Sequence, residues 1–441
     1  MKTKLERFFK KPTSILMGCF LMMTVLASLT VCNLFGGETE PLWEAGTSRT
    51  KTVVISDLHL GIDDRYTETI KNRPYLVNFL QRLAKTDDVK ELVIAGDFLD
   101  DWYLPVYYPS YTDVVKFYED CISNNQVVFN ELNDIIAKGI KVAYVPGNHD
   151  LLLESSVLDK AVPGIIQARD ARGLGVYYGG ENQEIAIEHG YRYDVFSAPD
   201  TITNAELTGN DDTILPPGYF YARYAATWVL EGNPTNIKKM PGVTHIPESS
   251  DTDQYGAFLY HRVIKEVTNY VTPNEDVDED IFDMHIAGFD DAYSFLDFYP
   301  AEQDDGTITA PVLFPNFQRT WDARQEANQV KVTNTFIEAV AGTLSPSYFT
   351  LQARRQYLEN PNENVDVVVF GHTHVPLYED FGNGKYYVNA GTWVDHNNLV
   401  EAATRTFVVV ESGEGHIVTL NKIMDDGSVS NITATYTATR Q

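Results

Sequence analysis

Five short motifs in this chain carry side chains that can bind cations. They are Ser56-Asp57-Leu58-His59, Gly96-Asp97-Phe98-Leu99-Asp100, Pro146-Gly147-Asn148-His149-Asp150, His189-Gly190 and Gly371-His372-Thr373-His374. Asp, Asn and His together offer mixed oxygen and nitrogen donors, a set suited to Mn, Fe, Zn or Ni rather than Ca. In Asp57-x-His59 and His372-x-His374 the paired donors are two residues apart, and on an extended strand end such positions share a face. A carboxylate has two oxygens, so one Asp can bridge two cations, and Asp97 lies in sequence between the other donors. The expected grouping is Asp57, His59, Asp97 and His374 around one ion, with Asp97, Asn148, His189 and His372 around a second. Two cations about 3.5–4 Å apart polarise a phosphoryl group and lower the pKa of a water between them. The expected chemistry is therefore attack on phosphorus by a hydroxide bridging two metals. His149, beside Asn148 and not needed as a ligand, is left to orient the phosphate or protonate the leaving oxygen. Asp100 and Asp150 are expected behind the donors, fixing histidine orientation and tautomer. Gly96, Gly147 and Gly371 are expected to let the backbone turn sharply beside the ions.

The elements that must position these residues are legible as well. Short β-branched runs at 51–55, 91–95, 141–145, 184–188 and 365–370 each end at one of the motifs. Open α/β sheets build their sites just past the carboxyl ends of strands. Helical stretches around 70–85 and 112–138 alternate with the first runs, and the runs are apolar throughout, which argues for a layered α/β core. Regular β sequence returns at 385–389, 406–410 and 416–420. Between about 196 and 359 the pattern breaks into Pro/Gly-punctuated, aromatic-rich and helix-like sequence. Phe220, Tyr224 and Trp228 fall at helical spacing there and read as the core of an inserted subdomain. The expected organisation is a core of 51–195 and 360–422, an insertion at 196–359, a polar tether at 36–50 and a C-terminal extension at 423–441.

Residues 1–11 carry five basic residues against one acid, and an uncharged apolar run follows to about residue 35. This reads as a signal peptide or membrane anchor over 1–35, with Cys32 as a loose lipoprotein site. The expected location is the periplasm or cell envelope. The whole chain of 441 residues has a formal net charge of −28. A field of that sign repels a nucleic-acid backbone, so a nucleic-acid partner is not expected. A small anionic substrate is still admissible where a cationic metal centre outweighs the field. Three cysteines provide neither a disulfide framework nor a CxxC zinc site.

Gly-Asn-His-Asp alone should arise by chance in roughly one chain in a thousand of this length. All five motifs in this order resemble the calcineurin-like metallophosphoesterase superfamily over 51–195 and 360–422. That resemblance implies a four-layer αββα sandwich of two mixed sheets, here with a helical, aromatic-rich insertion. It also implies two divalent transition-metal ions, with Mn the expected activator in vitro, and hydrolysis of a phosphomonoester, phosphodiester or pyrophosphate. Ser56–Gly61, Gly96–Trp102 and the helical insertion are similar to UDP-2,3-diacylglucosamine hydrolases. Those enzymes usually carry Arg where this chain has His149, and they act at the cytoplasmic membrane face. A phosphorylated small molecule or lipid-linked phosphate is the expected substrate. The competing readings are a non-catalytic metal-binding surface protein and a nuclease of the same superfamily.

Overall fold

The apolar runs do form strands, and two faces of each are covered, which is why they show no polar alternation. In the computed structural model, residues 39–438 are described, apart from 110, 171–172, 210–213, 237, 344, 398–402 and 414. The expectations for residues 1–35 lie outside the described residues. Among the described residues no helix is long and apolar enough to cross a membrane.

The core strands are β1 (Lys51–Ile55), β2 (Val89–Ala95), β3 (Lys141–Val145), β4 (Ile166–Gln167), β5 (Tyr177–Gly179) and β6 (Ile185–Ile187). After the insertion come β7 (Val367–Phe370), β8 (Leu377–Gly382), β9 (Lys385–Asn389), β10 (Thr406–Glu411), β11 (Ile417–Ile423) and β12 (Val429–Asn431). One sheet has the order β12-β11-β10-β1-β2-β3-β4, and the other has the order β8-β9-β7-β6-β5. Both are mixed: β1, β2 and β3 pair in parallel while β10 joins β1 antiparallel, and β6, β7 and β9 are parallel while β8 and β5 are antiparallel. Val54, Val93 and Val145 of the first sheet pack face to face with Ile187, Val369 and Val388 of the second. On the outer face of the first sheet lie helices α1 (Arg73–Leu83), α2 (Val114–Asn124) and α3 (Gln126–Ala137), through Phe79, Tyr118 and Phe129. The expected single helical stretch at 112–138 is divided at Asn125, whose side-chain amide donates to the carbonyls of Gly61 and Cys121.

The fourth layer comes from a region expected to be an insertion. After helices α4 (Pro217–Leu230), α5 (Thr252–Thr268) and α6 (Phe336–Gly342), helix α7 (Pro346–Ala353) and Tyr357 cover the outer face of the second sheet. The rest of the insertion has its own aromatic core. Phe220 lies within 6 Å of the ring centroids of Phe282, Phe289, Phe298 and Phe314. That cluster runs on without a break into Trp102, Tyr191 and Val195, which precede or flank the motif loops.

The two terminal segments also differ from the expected outline. The described part of 36–50 is packed rather than loose: Leu42 is buried, and the Trp43 indole N–H donates to Asp88 at 2.9 Å. The region 423–441 supplies edge strand β12, and then Ala438 donates to the Tyr378 carbonyl, tying the tail to the second sheet.

Candidate metal centre

Four of the five motifs leave their strands through a left-handed residue. Asp57, His59, Asp97, His372 and His374 all have φ between +46° and +69°. Among the described residues thirteen non-glycine residues have positive φ, and these five donors are among them. Such conformations cost of order 1–3 kcal/mol each and persist where the surroundings impose them. The paired donors therefore do not converge by strand alternation, as the spacing suggested. The strand has already ended, and a left-handed residue swings each donor inward. The turns are laced together: the Asp97 carbonyl accepts from the N–H groups of Leu58 and His59, at 2.8 and 3.0 Å.

The glycines work by two different means. Gly96 has φ +87° and supplies the expected turn. Gly147 and Gly371 are needed for space instead. A Cβ on Gly147 would lie 2.1 Å from Asp97 Oδ1, and one on Gly371 would lie 1.9 Å from Ser56 Oγ and 2.6 Å from Asp57 Oδ2.

Asp57, His59, Asp97 and His374 each place a donor atom within 4.8 Å of the others. His59 Nδ1 lies 2.6 Å from Asp100 Oδ2, so that nitrogen carries the proton and Nε2 presents its lone pair. His59 Nε2 and His374 Nε2 then face each other at 3.0 Å, with Asp57 Oδ1 3.1 Å from His374 Nε2. Converging lone pairs of this kind require a shared cation or proton. Asp57 Oδ1 is buried without a hydrogen-bond donor, and so is His189 Nε2.

The second set is built the same way. His189 Nδ1 donates to the Ala95 carbonyl at 2.7 Å, which turns Nε2 toward Asp97 Oδ2 at 3.0 Å. His372 Nε2 lies 3.0 Å from Asp194 Oδ2, which leaves Nδ1 facing Asn148 Oδ1 at 2.9 Å. The rings of His189 and His372 stand 5.3 Å apart, joining the two pairs. Asp97 connects the sets through one oxygen rather than two. Its Oδ2 lies 3.0 Å from His189 Nε2 and 3.7 Å from His59 Nε2, while Oδ1 accepts from the His149 backbone N–H. These donors fit two transition-metal cations held by imidazole nitrogen and carboxylate or amide oxygen.

Asp100 is the hub behind them. It takes His59 Nδ1 and lies 3.0 Å from His149 Nδ1, and its other oxygen accepts from the N–H groups of Trp102 and Tyr103. Asp150 differs from its expected part. Its oxygens accept from the backbone N–H groups of Gly147 and Phe98, at 2.6 and 2.8 Å, so it clamps the two motif loops rather than orienting a ligand imidazole. Burial, then the nearby Asp97 charge, push its carboxyl up to about 6.

The charges are tightly matched. Burial pushes the Asp97 and Asp100 carboxyls up, but the neighbouring histidines pull both further down, well below the usual carboxylate range. Burial likewise pushes His189 down, and the Asp97 and Asp57 carboxylates more than reverse this, holding it at about 9. Asp57 and His189 are fully buried, whereas the side chains of His149 and His374 keep 18% and 26% of their surface. The centre therefore opens on the side of His149 and His374.

A sequence model of the calcineurin-like phosphoesterases matches residues 50–376. The chain belongs to that family. As a calcineurin-like phosphoesterase it is a metal-dependent phosphoester hydrolase working with two divalent ions, and the two-sheet core agrees with the family's fold. Among solved structures it is similar to a dimetal phosphatase from Danio rerio, with 11% identity and a TM-score of 0.36, covering 88% of this chain and 99% of that one. It is also similar to a phosphopantetheinyl hydrolase from Mycobacterium tuberculosis, with 13% identity and a TM-score of 0.24, covering 79% of this chain and 91% of that one. No curated protein matches its sequence.

Asp194, shortly after His189, is only a weak candidate in the sequence, and Thr343 and Phe349 carry no signal there. Asp194 holds His372 from 178 positions away, and Thr343 in turn donates to Asp194 at 2.5 Å. Phe349 of α7 packs against the His372 ring at 5.4 Å. The insertion thus supplies part of the wall. Arg223, one of the few cations there, is buried and donates to the carbonyls of Leu104 and Pro105.

Proposed function

We propose that this chain hydrolyses a small phosphorylated or lipid-linked ester, with Asp57, His59, Asp97 and His374 holding one metal ion. Asp97, Asn148, His189 and His372 hold the other. The observation that carries this is the single Asp97 oxygen facing both donor sets. Bound there, two divalent cations supply the charge that polarises a phosphoryl oxygen and acidifies a water. The protein residues do the rest. Asp100 and the Ala95 carbonyl hold protons on His59 and His189, so their Nε2 lone pairs point inward. Asp194 does the same for His372 through Nε2, which frees Nδ1. His149 has Nδ1 turned to Asp100, leaving Nε2 at the open side. From there it donates a hydrogen bond to the phosphate or a proton to the leaving oxygen.

The −28 charge supports a small substrate over a nucleic acid. The basic-then-apolar sequence of 1–35 supports export, with attachment at the envelope.

The test is hydrolysis of an aryl phosphomonoester, an aryl phosphodiester and a nucleotide-sugar pyrophosphate by the Mn²⁺-loaded protein and by His149→Ala. The expected result is turnover of one class, with kcat lowered about 10²–10⁴-fold in the variant at unchanged metal content. Equal turnover by the variant overturns the role of His149. Full metal occupancy without cleavage of any class favours a binding protein, and cleavage of DNA at low salt favours a nuclease.

A further inference from the structure

His149 needs its ring held, not only its proton. His149 Nδ1 lies 3.0 Å from Asp100 Oδ2 but is buried without a hydrogen-bond partner, so this contact alone does not fix where Nε2 points. In this structure the second constraint is an indole. The Trp102 ring stacks on the His149 ring with centroids 4.6 Å apart and planes 28° from parallel. The edge of His59 closes the ring from another side, at 4.5 Å and 86°.

Trp102 is itself locked. Its backbone N–H donates to Asp100 Oδ1 at 2.7 Å, the same carboxylate whose other oxygen lies beside His149 Nδ1. Its ring is buried at 2% exposure and meets Tyr219 of α4 edge-on at 6.0 Å. Helix α4 comes so close that a Cβ on Gly218 would lie 3.1 Å from the indole Cζ3 and 2.7 Å from the Phe196 carbonyl oxygen. The Trp102 indole N–H is buried with no acceptor. A phenylalanine would avoid that unpaired donor but presents a narrower ring to His149. The wide π face of the indole is the best of the aromatic residues for an imidazolium.

We propose that Trp102 is a positioning residue for His149, and that the insertion acts on catalysis by holding Trp102 through Gly218 and Tyr219. The proposal rests on the reading of His149 as the group that serves the leaving oxygen.

The experiment compares wild type, Trp102→Phe, Trp102→Leu, His149→Ala and the Trp102→Leu/His149→Ala double variant, all Mn²⁺-loaded with metal content measured. The substrates are phenyl and 2,4-dinitrophenyl phosphate, or their methyl diesters, whichever the wild type cleaves. A dinitrophenolate leaves without a proton, so a group that serves only the leaving oxygen loses its importance on that ester. For the phenyl ester, Trp102→Leu is expected to lower kcat about ten-fold or more with KM nearly unchanged. Trp102→Phe should keep kcat within about three-fold, since a π face remains. The Trp102→Leu loss should shrink to less than about two-fold on the dinitrophenyl ester and in the His149→Ala background, because coupled residues are not additive. Equal losses on both esters, or a loss that persists without His149, overturn the proposal and assign Trp102 to packing alone. Failure of the underlying reading looks different: His149→Ala itself then shows no leaving-group dependence.

Discussion

At the scale of single residues, the centre is a problem in proton placement. Three of the four histidine donors have one nitrogen facing a fixed acceptor or carboxylate, so the other is committed to the interior. Asp100 does this for His59, the Ala95 carbonyl for His189 and Asp194 for His372. The consequence is a pH dependence of metal loading. The Asp97 and Asp57 carboxylates hold His189 at about 9 against the effect of burial, so the metal-free protein keeps that imidazole charged at neutral pH. A raised folded-state pKa stabilises the metal-free protein below the ordinary value of 6.5, and this contribution is lost as pH rises through 9. A cation at His189 must displace the proton. Its apparent affinity should therefore rise at least about ten-fold per pH unit up to about 9, since burial lowers His59 but the Asp100 and Asp57 carboxylates raise it well above its ordinary value too. Calorimetric titration of Mn²⁺ between pH 6.5 and 9.5 measures this, and an affinity flat across the range would contradict it.

At the scale of elements, the strands deliver the motifs and the turns aim them. The strands are legible because both faces are buried, which leaves unbroken apolar runs at 53–55, 92–95 and 367–370. The motifs were legible because cation chemistry restricts residue type. The turns were not. Asp57 and His59 share a centre because both are left-handed, and nothing in Asp-x-His announces that. Gly147 and Gly371 looked like turn residues but are kept small by Asp97 and Ser56, neighbours brought from other strands. The partners of Asp194, Thr343 and Trp102 are not legible either, for the same reason, since what they touch is set by tertiary packing. Gly371→Ala should therefore displace the Asp57 and His372 loops, with an overpacking cost of about 1–3 kcal/mol and loss of metal. Gly242→Ala, whose Cβ would meet nothing nearer than Lys265 Nζ at 4.0 Å, should do neither. Thermal unfolding and metal content of the two variants check this. Metal-replete Gly371→Ala of wild-type stability would show that the contact is not tight.

At the scale of the whole molecule, the insertion is less separate than its sequence implied. Its last helix, α7, is a layer of the core, and its aromatic cluster continues into Trp102 and Tyr191. The tail after residue 423 likewise belongs to both sheets. The long-range field is a further property of the whole. With 62 acidic against 34 basic residues, the protein repels an anionic ester until the local metal charge takes over. For such a substrate kcat/KM should rise as ionic strength increases from about 10 mM to 150 mM, where screening shortens from about 30 Å to 8 Å. A steady fall over that range would point to a cationic capture surface instead.

The central claim is that Asp97 would serve both donor sets and that hydrolysis depends on two cations held there. The most direct measurement is titration of the metal-free protein with Mn²⁺, following bound metal and phosphate-ester hydrolysis together, beside Asp97→Ala. The account predicts activity that saturates at two ions per chain, and a folded Asp97→Ala protein that loses tight metal binding and hydrolysis together. Full activity with one ion, or hydrolysis that survives in Asp97→Ala, would contradict it.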